Sequence, residues 1–187
     1  MSGESSLRKL SINISEWADY KAGDEFPDPK KLVPALDRPL RTSFGSQEQY
    51  VALWYRHGHP VMGRVWSYNG RIEASFSDGD KEFTGKSVGS LQILVKPLKD
   101  QCGFAYCWRP IGDVSRFDNK DHLPVHINFV TPCILTTPEG YETLGGANLK
   151  EEYALSTING HVIRYSGKQL QNFNILCRKL CDDTMQI

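Results

Sequence analysis

The sequence predicts an all-β fold: two tandem repeats of about 90 residues, each built of short antiparallel strands and joined into one interlocked β body. Three observations carry this. Runs of β-type residues separated by turn residues fill the stretch from Tyr50 to Val95. Within it, Asn69-Gly70 stands between two alternating runs; this is the strongest short-range hairpin signal, because both residues of such a turn need φ > 0. And an ordered set of residues returns, in the same sequence order, in the second half of the chain.

Taken in order, residues 1–15 are polar and read as an N-terminal tail, and the first repeat is expected over 16–99, with Trp17 opening the ordered part. Asp24 to Lys31 is a charged, Pro-rich loop, Leu32-Val33-Pro34-Ala35-Leu36 a short apolar anchor, and Arg38 to Gln47 is rich in turn residues. Strands follow at Tyr50–Tyr55, His59–Trp66, Arg71–Phe76, Asp78–Phe83 and Ser90–Val95. Between the first two, Arg56-His57-Gly58-His59-Pro60 reads as a tight turn in which Gly58 supplies backbone freedom; the two histidines lack a third ligand at a recognisable spacing, so no metal site is expected.

A two-residue turn at Asn69-Gly70 fixes the hairpin register. It sets Trp66 opposite Glu73, Val65 opposite Ala74 and Arg64 opposite Ser75. Val61, Gly63, Val65, Ile72, Ala74 and Phe76 then share one apolar face, which must pack on a core. The other face carries Met62, Arg64, Trp66, Arg71, Glu73 and Ser75 and is expected to point outward. On it, Arg64, Trp66 and Glu73 form either a ligand patch or a surface ion pair beside a packed indole, the latter worth under about 1 kcal/mol.

From Cys102 the pattern starts again, giving a second repeat over 100–182 and a C-terminal tail over 183–187. Trp108 matches Trp17, Pro124 matches Pro34, Tyr141 and Leu144 match Tyr50 and Leu53, and Asn159-Gly160 matches Asn69-Gly70. Gly167-Lys168-Gln169-Leu170 matches the stretch from Gly79 to Phe83. Asn174-Ile175-Leu176-Cys177 matches Gln92-Ile93-Leu94-Val95 at a shorter offset, which places a deletion after the second hairpin. Leu144 to Leu155 contains good helix formers, yet the repeat assigns it a strand pair.

Composition narrows the function. Lys+Arg and Asp+Glu stand at 22 each among 187 residues, with no basic block for nucleic acid and no apolar run long enough for a membrane helix. The N-terminal residues lack a signal peptide's apolar core, so the sequon Asn13-Ile14-Ser15 carries no weight and a cytoplasmic protein is expected. The five cysteines, 102, 107, 133, 177 and 181, are odd in number and lack a Cys-x-x-Cys pair, which points to free thiols. Cys133 lies near His126 in sequence, but no residue set marks an oxyanion hole; no enzyme activity and no cofactor are expected.

The order Pro-x-Ala, Tyr-Val, Gly-Arg, Gly-Lys-Glu and Ile-Leu-Val resembles the DM-nine repeat family over about Trp17 to Leu176. That resemblance implies an all-β body of two interlocked repeats, often a homodimer, in mannose-binding, lectin-like proteins with roles in innate immunity. It implies a carbohydrate site built on Arg64, at the family's Lys position, with Trp66 and Glu73 beside it. The family's Asp position falls at Arg41–Thr42, where Asp37 is the nearest acid, so Asp37 and Arg41 complete the expected site. In the second repeat the corresponding positions fall at Ala154 and Phe129 and match neither residue. The expected function is therefore a mannose-type lectin-like module with a single altered site, binding a glycan. The alternative is an intracellular protein-interaction scaffold whose sugar pockets have decayed.

Overall fold

A computed structural model describes residues 16–97 and 103–180. The sequon at Asn13, Cys102, Cys181 and both expected tails lie outside the described residues. The first antiparallel sheet is built from β1 (Trp17–Lys21), β4 (Tyr50–Arg56), β5 (His59–Tyr68), β6 (Arg71–Asp78), β7 (Lys81–Thr84) and β8 (Ser90–Leu94), in the order β1-β8-β4-β5-β6-β7. Between β1 and β4 stands a small separate hairpin, β2 (Leu40–Thr42) and β3 (Gly45–Gln47).

The second sheet repeats that order. It contains β9 (Phe104–Pro110), β11 (Val130–Thr136), β12 (Glu142–Asn148), β13 (Tyr153–Ile158), β14 (His161–Ser166) and β15 (Asn174–Leu180). β9 pairs with β15 as β1 pairs with β8, and β11 to β14 follow as β4 to β7 do. In the chain between β9 and β11 come a one-turn helix, α1 (Ile111–Val114), and β10 (His122–Pro124), a seventh strand of this sheet that pairs with β15. Duplication is visible in the register itself: Ala52 stands opposite Ile93, and Cys133 opposite Ile175.

The strand pair expected within Leu144 to Leu155 is present as β12 and β13. The residue matching between repeats needs correction. Trp17 and Trp108 are equivalent, opposite Leu94 and Leu176 respectively. Tyr50, however, opens β4, whose counterpart is β11, whereas Leu144 lies in β12. Asn159-Gly160 joins β13 to β14, and so corresponds to the turn between β6 and β7 rather than to Asn69-Gly70. The deletion lies before β11, where the second repeat has no counterpart of the β2–β3 hairpin. The reason is physical: Asn-Gly suits any two-residue hairpin turn, so it marks a turn without saying which one.

The Asn69-Gly70 hairpin has the predicted register, including Trp66 opposite Glu73 and Arg64 opposite Ser75. Asn69 and Gly70 both take positive φ, at 50° and 73°. The His57-Gly58 turn does the same, at 49° and 79°. Val61, Val65, Ile72, Ala74 and Phe76 are buried in a core that belongs to the first sheet, with Trp54 donating its indole N–H to the Val88 carbonyl. A second core belongs to the other sheet, around Cys133, Leu135, Ala154 and Ile175. A third is shared: Val33, Leu40, Val51 and Leu94 pack with Val125, Ile134, Leu144 and Leu176. Among the described residues no helix is long and apolar enough to cross a membrane.

Candidate functional site

The mixed face of the Asn69-Gly70 hairpin does not point into solvent at its centre. It meets the second sheet. Met62 is 2% exposed and Ser75 1% exposed. Met62 lies against Gly146, where an added Cβ would sit 3.1 Å from the Met62 Cβ; glycine at this position lets β5 and β12 approach.

Arg64 is the hub of this seam. β12 pairs with β13 only from Gly146 to Asn148; beyond Gly145 the backbone ladder stops. Side chains take its place. Ser156 Oγ donates to the Leu144 carbonyl and Thr143 Oγ1 to the Thr157 carbonyl. The Arg64 guanidinium enters from the first sheet and donates to both carbonyls, at 3.3 and 3.1 Å, and to the hydroxyls of Ser156 and Thr157, at 3.0 and 2.9 Å. A planar fork of donors suits two diverging carbonyls in a way that a point-charge ammonium does not. Thr157 Oγ1 passes the interaction on to Glu82, which also accepts from Ser75. The stem of Arg64 retains some exposure, but its charged end is enclosed. Burial pulls its pKa down to about 10 while Glu82 pushes back, so the group stays cationic at neutral pH.

A second set of contacts straps the repeats together. Arg38 forks onto the Glu142 carboxylate at 2.8 and 2.7 Å, and the Arg41 backbone N–H donates to the same group at 3.0 Å. Gln49 accepts from the Leu144 N–H, and Ser43 donates to Asn159. At the opposite end Arg178 and the Tyr106 hydroxyl close on Glu16. Burial, followed by the bond to Glu16, drives the Tyr106 hydroxyl far above its usual range.

Two further features face outward on the second repeat. The first is a cleft of 310 Å³ between α1, the β12–β13 turn and the 3-10 stretch Gly167–Asn172, floored by Ile111, Ala147 and Leu170. The second is an aromatic cluster: His126 stacks on Phe129 at 5.9 Å and meets Phe117 edge-on at 5.0 Å. Phe117 is 37% and Phe129 43% exposed.

A protein-family model described as MFP2b, cytosolic motility protein, matches residues 14–180. The chain belongs to this family. A crystal structure of the nematode sperm cell motility protein MFP2B is similar, with 36% sequence identity and a TM-score of 0.82. The match covers 92% of this chain and 48% of that one, so the chain spans about half the length of this relative. None of the curated proteins searched matches.

Membership of the MFP2b family overturns the DM-nine resemblance, and with it the lectin, mannose and innate-immunity expectations. The motifs behind that resemblance are ones that many β-hairpins need: glycines at turns, β-branched runs in strands. The cytosolic expectation agrees with the family's description.

The five expected site residues divide accordingly. Arg64, on the face expected to point outward, has its guanidinium engaged between the sheets instead. Trp66 is half-buried, its ring 5.7 Å from the Arg64 guanidinium, and Glu73 stands opposite it. Asp37 is exposed beside Arg38, and Arg41 contributes its backbone to the strap. Sequence reasoning missed Glu142, Ser156 and Thr157, which carry the seam, and the Phe117–His126–Phe129 cluster.

Proposed function

We propose that this chain is a non-catalytic protein-interaction module of a cytosolic motility apparatus, in which the seam holds the two repeats as one rigid platform. The observation that carries the reading is the family match, which spans all the described residues. The internal chemistry supports it. The buried polar groups of the seam are satisfied by one another, which suits scaffolding better than turnover. Burial pushes the Cys177 thiol up to about 12 and Cys133 higher still, so neither is an activated nucleophile.

The test is depletion of the protein from a cell-free motility extract of the cells that express it. Movement is expected to slow and to recover when the purified chain is added back. Unchanged movement after complete depletion would refute the reading.

A further inference from the structure

We propose that the cleft of the second repeat, with the aromatic cluster beside it, is a docking groove for an extended segment of a partner protein, anchored by an aromatic side chain. The inference rests on the interaction-module reading and adds the site and the chemistry of its ligand.

The duplication supplies the argument, because the first repeat shows what fills the same place. Trp17 and Trp108 hold equivalent positions, and Phe26 and Phe117 each follow nine residues later. In the first repeat β1 ends at Lys21, the chain turns at Ala22-Gly23 with the Asp24 N–H on the Lys21 carbonyl, and it then runs on without a helix. It lies along the β5–β6 turn: Gly23 N–H donates to the Ile72 carbonyl, Ile72 N–H to Asp24 and Phe26 N–H to Gly70, at 2.8, 2.8 and 2.9 Å. Ala22 N–H donates to Gly89, just after the 3-10 turn. The Phe26 ring then packs onto the core, 5.6 Å from Tyr50.

In the second repeat the equivalent stretch is wound into α1, held by the Ser115 N–H on the Ile111 carbonyl and the Ile111 N–H on Phe173. Winding shortens its reach. Phe117 ends on the surface instead of over the core, and the cleft remains between α1 and the two elements, the β12–β13 turn and the 3-10 stretch, whose counterparts flank the filler in the first repeat. Its 310 Å³ lies at the small end of ligand pockets, which run from roughly 300 to 1,000 Å³. That is room for an anchoring side chain rather than for a whole metabolite.

The aromatic cluster extends the groove. Ser115 lines the cleft two residues before Phe117, and Leu149, also in the lining, donates its N–H to the Phe129 carbonyl. Phe129 occupies a two-residue turn closed by reciprocal Ile127–Val130 bonds, at φ 65°, where glycine is the usual residue. A bulky side chain held there costs about 1 kcal/mol or more, and its ring is left largely on the surface. In the first repeat the filler continues as Phe26-Pro27-Asp28-Pro29. An aromatic shelf receives such an extended, proline-bearing continuation well.

The probe follows directly: a synthetic peptide with the sequence of residues 21–29, titrated into the full chain and followed by methyl NMR. Saturable shifts are expected at Ile111, Leu149 and Leu170, with Kd tighter than about 1 mM. Replacing the peptide's Phe by Ala should weaken binding at least about tenfold, the loss of one aromatic anchor. Ser115→Trp places an indole across the cleft and should abolish binding; Leu149→Glu serves if that variant fails to fold. Absence of saturable shifts up to about 5 mM, or binding that survives both variants, overturns the groove. In the depleted extract, restoration by the original chain but not by Ser115→Trp supports the groove. Restoration by both removes the groove and leaves the module reading standing.

Discussion

Replacing Arg64 by Met tests whether the seam holds the repeats together. Met keeps the aliphatic stem and removes the guanidinium. Four hydrogen bonds disappear. Neither carbonyl is orphaned, because Leu144 O keeps Ser156 Oγ and Thr157 O keeps Thr143 Oγ1. The cost is therefore less than four charge-assisted bonds taken singly. What remains is a half-buried Glu82 bonded to two hydroxyls with its countercharge gone. Arg64 and Glu82 are bridged by Thr157 Oγ1 rather than in contact, and Glu82 is only partly buried, so the loss is that of charge-assisted hydrogen bonds whose acceptors stay satisfied, about 2 kcal/mol. The assay is urea unfolding followed by tryptophan fluorescence, comparing midpoints at constant m. Glu82→Gln should cost less in the Arg64→Met background than alone, with a coupling of at least about 1 kcal/mol. A loss below about 1 kcal/mol for Arg64→Met, or strict additivity with Glu82→Gln, would refute the assignment of Arg64 as the hub.

Three more outcomes follow from the same geometry. The bond from Arg38, foremost among its neighbours, holds the Glu142 carboxyl below its ordinary 4.5, so its stabilisation is complete above that pH and is lost as pH falls through the lowered value. Glu142→Gln should accordingly cost under about 1 kcal/mol near pH 6, Arg38 being exposed, and the gap to the original chain should narrow in unfolding series as the pH falls below the ordinary carboxyl range. Gly145→Ala should lower stability by at least about 2 kcal/mol in thermal unfolding, since its Cβ would overlap the Leu155 carbonyl and lie 2.6 Å from the Ser156 Cβ, atoms fixed by the strand. Phe129→Gly should hold or raise the melting temperature by relieving the left-handed strain while weakening binding of the residue 21–29 peptide; loss of stability without loss of binding would count against the shelf.

The hairpin was legible because two local rules met there. Asn-Gly fixed the register, and alternation marked Val61, Val65, Ile72, Ala74 and Phe76 as one buried face. Its other face was not legible for a reason that is equally local. A polar residue on a strand says only that its environment is not hydrocarbon. Solvent and a hydroxyl-lined seam satisfy Arg64 alike, and the partners that decide between them, Ser156 and Thr157, stand more than 90 residues away in sequence. The repeat was legible in its tryptophans, which occupy matched register positions, and misleading in its turns, because β4–β5, β5–β6 and β13–β14 all close on residues with positive φ. The cleft was hidden for a third reason. Tyr20–Phe26 and Ile111–Phe117 have the same length and both end on Phe, but one follows a strand with a turn and the other is wound into a helix.

That difference explains why duplication need not give two equal halves. Arg64 reaches from β5 into the gap between β12 and β13, while the β12 residue packed against Met62 is Gly146, which offers no side chain in return. The first repeat also carries the strap, with its Arg38 and Arg41 on Glu142, and packs Phe26 onto its own core. The second repeat receives these contacts on β12 and β13 and keeps its cleft and its aromatic cluster outside the seam. On the side of β12 and β13 the anchoring contacts thus come from the first repeat, and the groove stands on the second. A ligand held at Ile111, Leu149 and Leu170 would rest on a sheet already braced from the other side by Arg64. Loosening the seam should then weaken peptide binding without any change at the groove itself, because the β12–β13 turn that lines it would lose its support.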